Sequence, residues 1–182
     1  MWSNFVWLHF HLLICISFSN FFFRLHFPLD CFPLKYYRSK GAPLGGYLAD
    51  KVGRKNTVVP AAMLISLGAI LTAYTGSCEN ATFTTLLPSI LVWGLGNSMV
   101  NPGLSAFAAD IADDESTRSQ ALSLSRMAGD AAFLICPFGL GLLAQYTDFT
   151  TALLTSALIT AVANATFALR STEKYVPAKY SK

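Results

Sequence analysis

The sequence predicts an all-α integral membrane protein, a bundle of four full transmembrane helices plus a partial one, with an extra N-terminal hydrophobic helix left open. Three observations carry this reading. Of 182 residues, 53% are hydrophobic and 13% charged, where soluble domains carry about 25% charged residues, and a globule of this size cannot hide that much apolar surface. Four apolar stretches follow one another at 58–74, 86–109, 121–146 and 150–169, each near the roughly 20 residues a helix needs to cross a bilayer. Lys and Arg fall on alternate links between them, the partition that membrane insertion imposes.

Taken in order, residues 1–40 are atypical. All twelve glycines, and all the alanines, lie after Lys40, and the preceding chain is Phe, Leu, His, Ser and Ile. Residues 2–23 are long enough to span. As a signal segment they lack a basic start, and SFS before Asn20 is a poor cleavage site. A third alternative is that this segment does not belong to the fold. Residues 27–40 carry two prolines, Asp30, Lys35, Arg38 and Lys40, and read as a loop.

The stretches 58–74, 86–109 and 150–169 contain no charge, and 121–146 is interrupted only by Arg126, Asp130 and Gln145. Lipid offers the backbone no hydrogen-bond partners, so each must be a helix or a barrel strand. Alternation of apolar and polar residues is absent and the runs are too long for barrel strands, which leaves helices. Abundant Gly, Ala, Ser and Thr suit close helix packing in lipid. Pro60, Pro88, Pro102 and Pro137 suit kinked membrane helices.

The first link holds Lys51, Arg54 and Lys55; the third holds Arg118; Arg170 and the tail 171–182, with Lys174, Lys179 and Lys182, follow the last span. These are expected to be cytoplasmic, and the links at 76–83 and 145–149, without Lys or Arg, to face the other way. Asn80-Ala81-Thr82 on that outer side is a glycosylation pattern, with chance the favoured explanation because the loop is short. Asn164-Ala165-Thr166 matches the same pattern inside a span, where glycosylation has no access.

The net charge of +3 is small and its basic residues are scattered, which argues against a nucleic-acid partner. Cys15, Cys31, Cys78 and Cys136 show no CxxC spacing, so neither a metal site nor a disulfide framework is expected. No cofactor-cradling loop, nucleophile–base pair or His–Glu spacing appears, which makes an enzyme the least supported class.

The densest alternation of glycine and charge is GGYLADKVGRK at 45–55. Gly46, Leu48, Asp50, Gly53, Arg54 and Lys55 fill every fixed position of a motif that resembles the signature loop of the major facilitator superfamily, G-x-L-x-D-x-x-G-R-[RK]. Gly46 would let one helix end approach its neighbour closely, and Gly53 would let the chain turn tightly. Asp50 can accept hydrogen bonds at a helix N-terminus, and Arg54 can fork onto a carboxylate or exposed carbonyls. The resemblance implies that this cluster latches the cytoplasmic side. A merely solvated loop would explain Lys51 and Lys55 but not the glycines with Asp50 and Arg54.

The resemblance covers residues 41–170 and implies half of a major facilitator fold. Four spans and a polar tail after the motif suit the second half, with the spans as the ninth to twelfth helices; Val92-Trp93-Gly94 stands where first halves often keep an arginine. A first half is the alternative. The helix entering the motif, 41–49, is too short to span, so the chain is expected to be a fragment, a truncated product, or one that needs a first half from a partner chain.

Four further polar residues lie at membrane depth. Asn97 and Asn101 share a helix face; hydrogen bonding between helices around a proline kink is favoured over substrate contact. Arg126 and Asp130, four apart, partly neutralise each other and are candidates for substrate or coupling roles. The run Arg126-Met127-Ala128-Gly129-Asp130 before Cys136-Pro137-Phe138-Gly139 looks like the matching helix of drug- and sugar-type members, with Cys136 replacing the usual glycine. Arg118 matches the family's loop arginine, after an acidic run, Asp110, Asp113, Asp114 and Glu115, that reads as a solvated turn. The expected function is alternating-access transport of a small solute, with proton coupling open; the alternative is a truncated, non-transporting protein that at most associates with a carrier.

Overall fold

A computed structural model describes residues 32–78, 82–111 and 114–171. The N-terminal hydrophobic stretch, Asn80 and Ala81, Asp113 and the tail beyond Ser171 lie outside the described residues. Five helices follow in order: α1 Phe32–Val52, α2 Arg54–Gly76, α3 Phe83–Ile111, α4 Glu115–Tyr146 and α5 Phe149–Arg170. The last four are long and apolar enough to cross a membrane, and no strand occurs among the described residues.

Three boundaries differ from the sequence reading, each because hydropathy marks apolar residues and not helical ones. The expected loop at 27–40 is helical from residue 32, so α1 has 21 residues and about 32 Å of length at 1.5 Å per residue, not the short 41–49 piece. Pro33 is tolerated because the first turn lacks internal N–H partners anyway. The polar link at 110–120 is mostly helix: α3 runs on to Ile111 and α4 begins at Glu115. Glu115 in that first turn is favoured by the positive helix end.

The core lies between α2, α3 and α5. Val58, Ala61, Ala62 and Ile65 of α2 pack against Ile90, Trp93, Val100, Leu104 and Phe107 of α3 and Ala163 and Phe167 of α5. Phe107 and Phe167 meet edge to face with ring centroids 5.2 Å apart, the arrangement the ring quadrupoles favour. Glycine brings α2 and α3 together. A Cβ on Gly96 would lie 2.6 Å from the Ala61 carbonyl oxygen, and one on Gly68 would lie 2.6 Å from Trp93. Small residues of this kind drive helix association in lipid, where apolar burial contributes little.

α2 and α5 are antiparallel, and side-chain bonds fix their register. Near one end Lys55 reaches Ser171, one turn further in Asn164 reaches Val59, and at the other end the Ser77 and Thr150 hydroxyls lie 2.7 Å apart. Asp148 starts α5 by accepting a hydrogen bond from the Thr151 N–H at 3.0 Å. α4 is the most exposed of the four spans; Met127, Leu134 and Phe138 are each about two-thirds or more uncovered.

Candidate functional site

Gly53 separates α1 from α2 with φ 108° and ψ 149°, the one positive φ among the described residues. A side chain there would be strained, so the turn that places Arg54 at the head of α2 depends on glycine. Its carbonyl accepts from both the N–H and the hydroxyl of Thr57, which closes the first turn of α2.

From that turn two neighbouring cations reach different helices. Arg54 Nη1 lies 2.6 Å from Asp110 Oδ2 and also donates to the carbonyl oxygen of Ala106, both near the end of α3. Lys55 Nζ donates to the Ser171 carbonyl at 2.7 Å, just past the end of α5. Helix C-termini carry partial negative charge and unpaired carbonyls, so cations belong there. The N-terminal turn of α2 thereby gathers the C-terminal ends of α3 and α5. The charges of Asp50 and Arg118 both bear on Asp110, so four charged residues from α1 to α4 form one electrostatic cluster. Lys51 lies over the Tyr47 ring, 4.5 Å from its centroid.

Several sequence-expected roles change. The close helix approach assigned to Gly46 belongs to Gly45: a Cβ on Gly45 would be 2.8 Å from Met99 Cα, whereas one on Gly46 would meet nothing within 4 Å among the described residues. One residue is a 100° turn of the helix, enough to move Gly46 off the contact face. Among the described residues Asn101 makes no bond between helices; its amide donates to the Asn97 carbonyl of its own helix at 3.1 Å. Arg126 and Asp130 both stand exposed on α4, and neither forms an ion pair among the described residues. Asp110, which the sequence places in a solvated turn, is instead the partner of Arg54. The available signal was its place as the first acid after a charge-free span. Arg118 is exposed in the second turn of α4. No cluster of His, Cys, Asp and Glu able to hold a metal occurs among the described residues.

A sequence model of the Major Facilitator Superfamily matches residues 40–181. The chain belongs to the Major Facilitator Superfamily. It is therefore a multi-pass membrane protein of a transporter family. It is 28% identical over 75 residues to the bacillibactin exporter of Bacillus subtilis, a match covering 40% of this chain and 19% of that one. It is 31% identical over 81 residues to magnetosome protein MamH of Paramagnetospirillum magneticum, covering 43% and 19%. These matches span about a fifth of the length of each curated relative. Among solved structures, the peptide transporter POT in complex with sulfate superimposes with a TM-score of 0.74 at 18% identity, covering 94% of this chain and 40% of that one. The POT family transporter PepTSo gives 0.72 at 17% identity, covering 97% and 39%. At such identity the likeness shows the fold, and function must rest on the site.

Proposed function

We propose that this superfamily unit forms the second half of a small-solute carrier that works by alternating access, with the 45–55 loop closing its cytoplasmic side. The observation that carries this is the pair Arg54–Lys55, whose neighbouring cations hold the ends of two different helices. An arrangement that joins helix ends through a few partly buried polar bonds can release them together, as a two-state carrier requires. The cytoplasmic assignment follows from the Lys and Arg partition. The second-half assignment is supported by Val92-Trp93-Gly94, which stands where first halves of the family often keep an arginine. The residues of the latch are Asp50, Gly53, Arg54 and Lys55, with Gly45 at the close approach to α3, joined by Asp110 and Arg118.

α4 presents Arg126 and Asp130 outward in a span, where charges are costly against lipid. They fit a water-filled path shared with a second half-bundle, and Asp130 is the acid placed to couple protons. Asn97 and Asn101 complete the polar candidates. The substrate class is a small solute; the relatives' own names point to different ones, bacillibactin and peptides.

The test is uptake into proteoliposomes under an imposed pH gradient. The chain is reconstituted alone and with a first-half bundle, against labelled peptides and bacillibactin. Saturable uptake that requires both halves and is lost in Asp130→Asn is expected. Stable association without uptake of any solute would favour the non-transporting alternative.

A further inference from the structure

Asn164 lies inside α5, 1% exposed, in a helix that otherwise buries Ala, Leu, Ser, Thr and Phe. Burying an amide in an apolar span is unfavourable unless it gains a bond that matters. Its Nδ2 donates to the Val59 carbonyl of α2 at 3.0 Å, while its Oδ1 is buried without a hydrogen-bond partner among the described residues. An apolar side chain would fill this space without stranding an acceptor, so the gain must come from holding Val59.

Val59 directly precedes Pro60. Proline has no N–H to donate to the carbonyl four residues back, so the helix is weakened between its first turns and the rest. The segment before the proline, residues 54–59, is the part that carries Arg54. α5 holds that segment twice, through Asn164 to Val59 and through Lys55 to Ser171.

We propose that Asn164 is a positioning residue of the latch: it fixes the pre-proline turn of α2 on α5 at the rotation in which Arg54 meets Asp110. Without it, that turn pivots about Pro60 and the Arg54–Asp110 bridge loosens, although neither partner has changed. The proposal rests on the latch reading above.

The experiment uses the full chain in inside-out membrane vesicles, with its four native cysteines replaced. Ala109, buried beside Asp110, and Ala152, buried near the opposite end, are each changed to cysteine in separate proteins. The rate of reaction with a membrane-permeant maleimide, which reaches both ends of the bundle, is then followed. Asp110→Asn is expected to raise labelling at Ala109→Cys by about tenfold, and Asn164→Leu by about threefold to tenfold, the range a modest population shift produces. The two together should label no faster than Asp110→Asn alone, and Ala152→Cys should not respond. If Asp110→Asn leaves labelling unchanged, the latch reading fails and takes this proposal with it. If Asp110→Asn responds but Asn164→Leu does not, or adds in full, or raises Ala152→Cys equally, the latch stands and Asn164 is only a packing residue. Asn164→Ala replaces the Leu variant should that fail to fold; if neither folds, Asn164 serves the whole bundle and the proposal is overturned.

Discussion

Lys55 Nζ donates to the backbone carbonyl of Ser171 at 2.7 Å, across 116 residues of chain. The contact joins the first turn of α2 to the end of α5. It places an ammonium where a helix leaves carbonyls unpaired and partially negative. Arg54 instead binds Asp110 and the carbonyl of Ala106 within the last two turns of α3, so the two cations of the motif have separate partners and separate consequences.

Replacing Lys55 by Met keeps the stem and removes the charge. The loss of a cation at a helix C-terminus and of one hydrogen bond is worth about 1 kcal/mol. Thermal unfolding in detergent should show Lys55→Met less stable than the parent and Lys55→Arg close to it. Equal melting of all three would mean that the contact contributes nothing to stability.

The glycine contacts make a sharper contrast. Gly96→Ala puts a Cβ against the Ala61 carbonyl, a backbone atom that cannot swing aside. Overpacking of this kind costs about 1–3 kcal/mol. Gly141→Ala in α4 would meet nothing within 4 Å among the described residues, and should gain up to about 1 kcal/mol from helix propensity. Melting temperatures of opposite sign relative to the parent are expected; a neutral Gly96→Ala would show that α2 and α3 separate easily.

These contrasts also mark what was legible in the sequence. The four spans and the motif were, because bilayer thickness sets a length and the motif sets residue types at fixed spacing. The start of α1 at Phe32 and of α4 at Glu115 were not, since polar residues form helices without raising hydropathy. The choice between Gly45 and Gly46 needs the helix's rotation, which tertiary packing sets. Asp110 and Asn164 act through partners far away in sequence, Arg54 and Val59, and no local pattern reports such a pairing.

Asp148 gives a pH dependence. Its carboxylate accepts from the hydroxyl and the N–H of Thr151, and these bonds hold its pKa below the ordinary value. A carboxylate with a depressed native pKa stabilises the fold above its unfolded pKa, about 3.9, and that contribution is lost as pH falls through the native value. Asp148→Ser keeps a capping oxygen that does not titrate. The difference in melting temperature between parent and Asp148→Ser should therefore be constant from pH 6 to 8 and shift against the parent as pH falls below about 4. A difference that is flat down to pH 3 would show that the cap contributes no titrating stability.

The Arg54–Asp110 bridge can be tested by exchanging its ends. Both side chains are only partly exposed, 15% and 25%, so each charge left alone would be poorly hydrated, and removing one partner of such a pair costs more than the pair itself contributes. Asp110→Arg sets two cations against each other beside the Ala106 carbonyl and next to Arg118. Arg54→Asp sets Asp50, Asp110 and a third acid in one cluster. Each single change should lower stability by about 2–3 kcal/mol, and the exchanged double variant should recover part of that through a coupling of about 1–2 kcal/mol. Full recovery is not expected, because a carboxylate at position 54 cannot donate to the Ala106 carbonyl as Arg54 does. The measurement is a double-mutant cycle on thermal unfolding, repeated at low and high salt. Coupling that survives high salt marks a bridge shielded from solvent. Strictly additive losses would mean that Arg54 works through the carbonyl alone, and that Asp110 contributes only its charge to the end of α3.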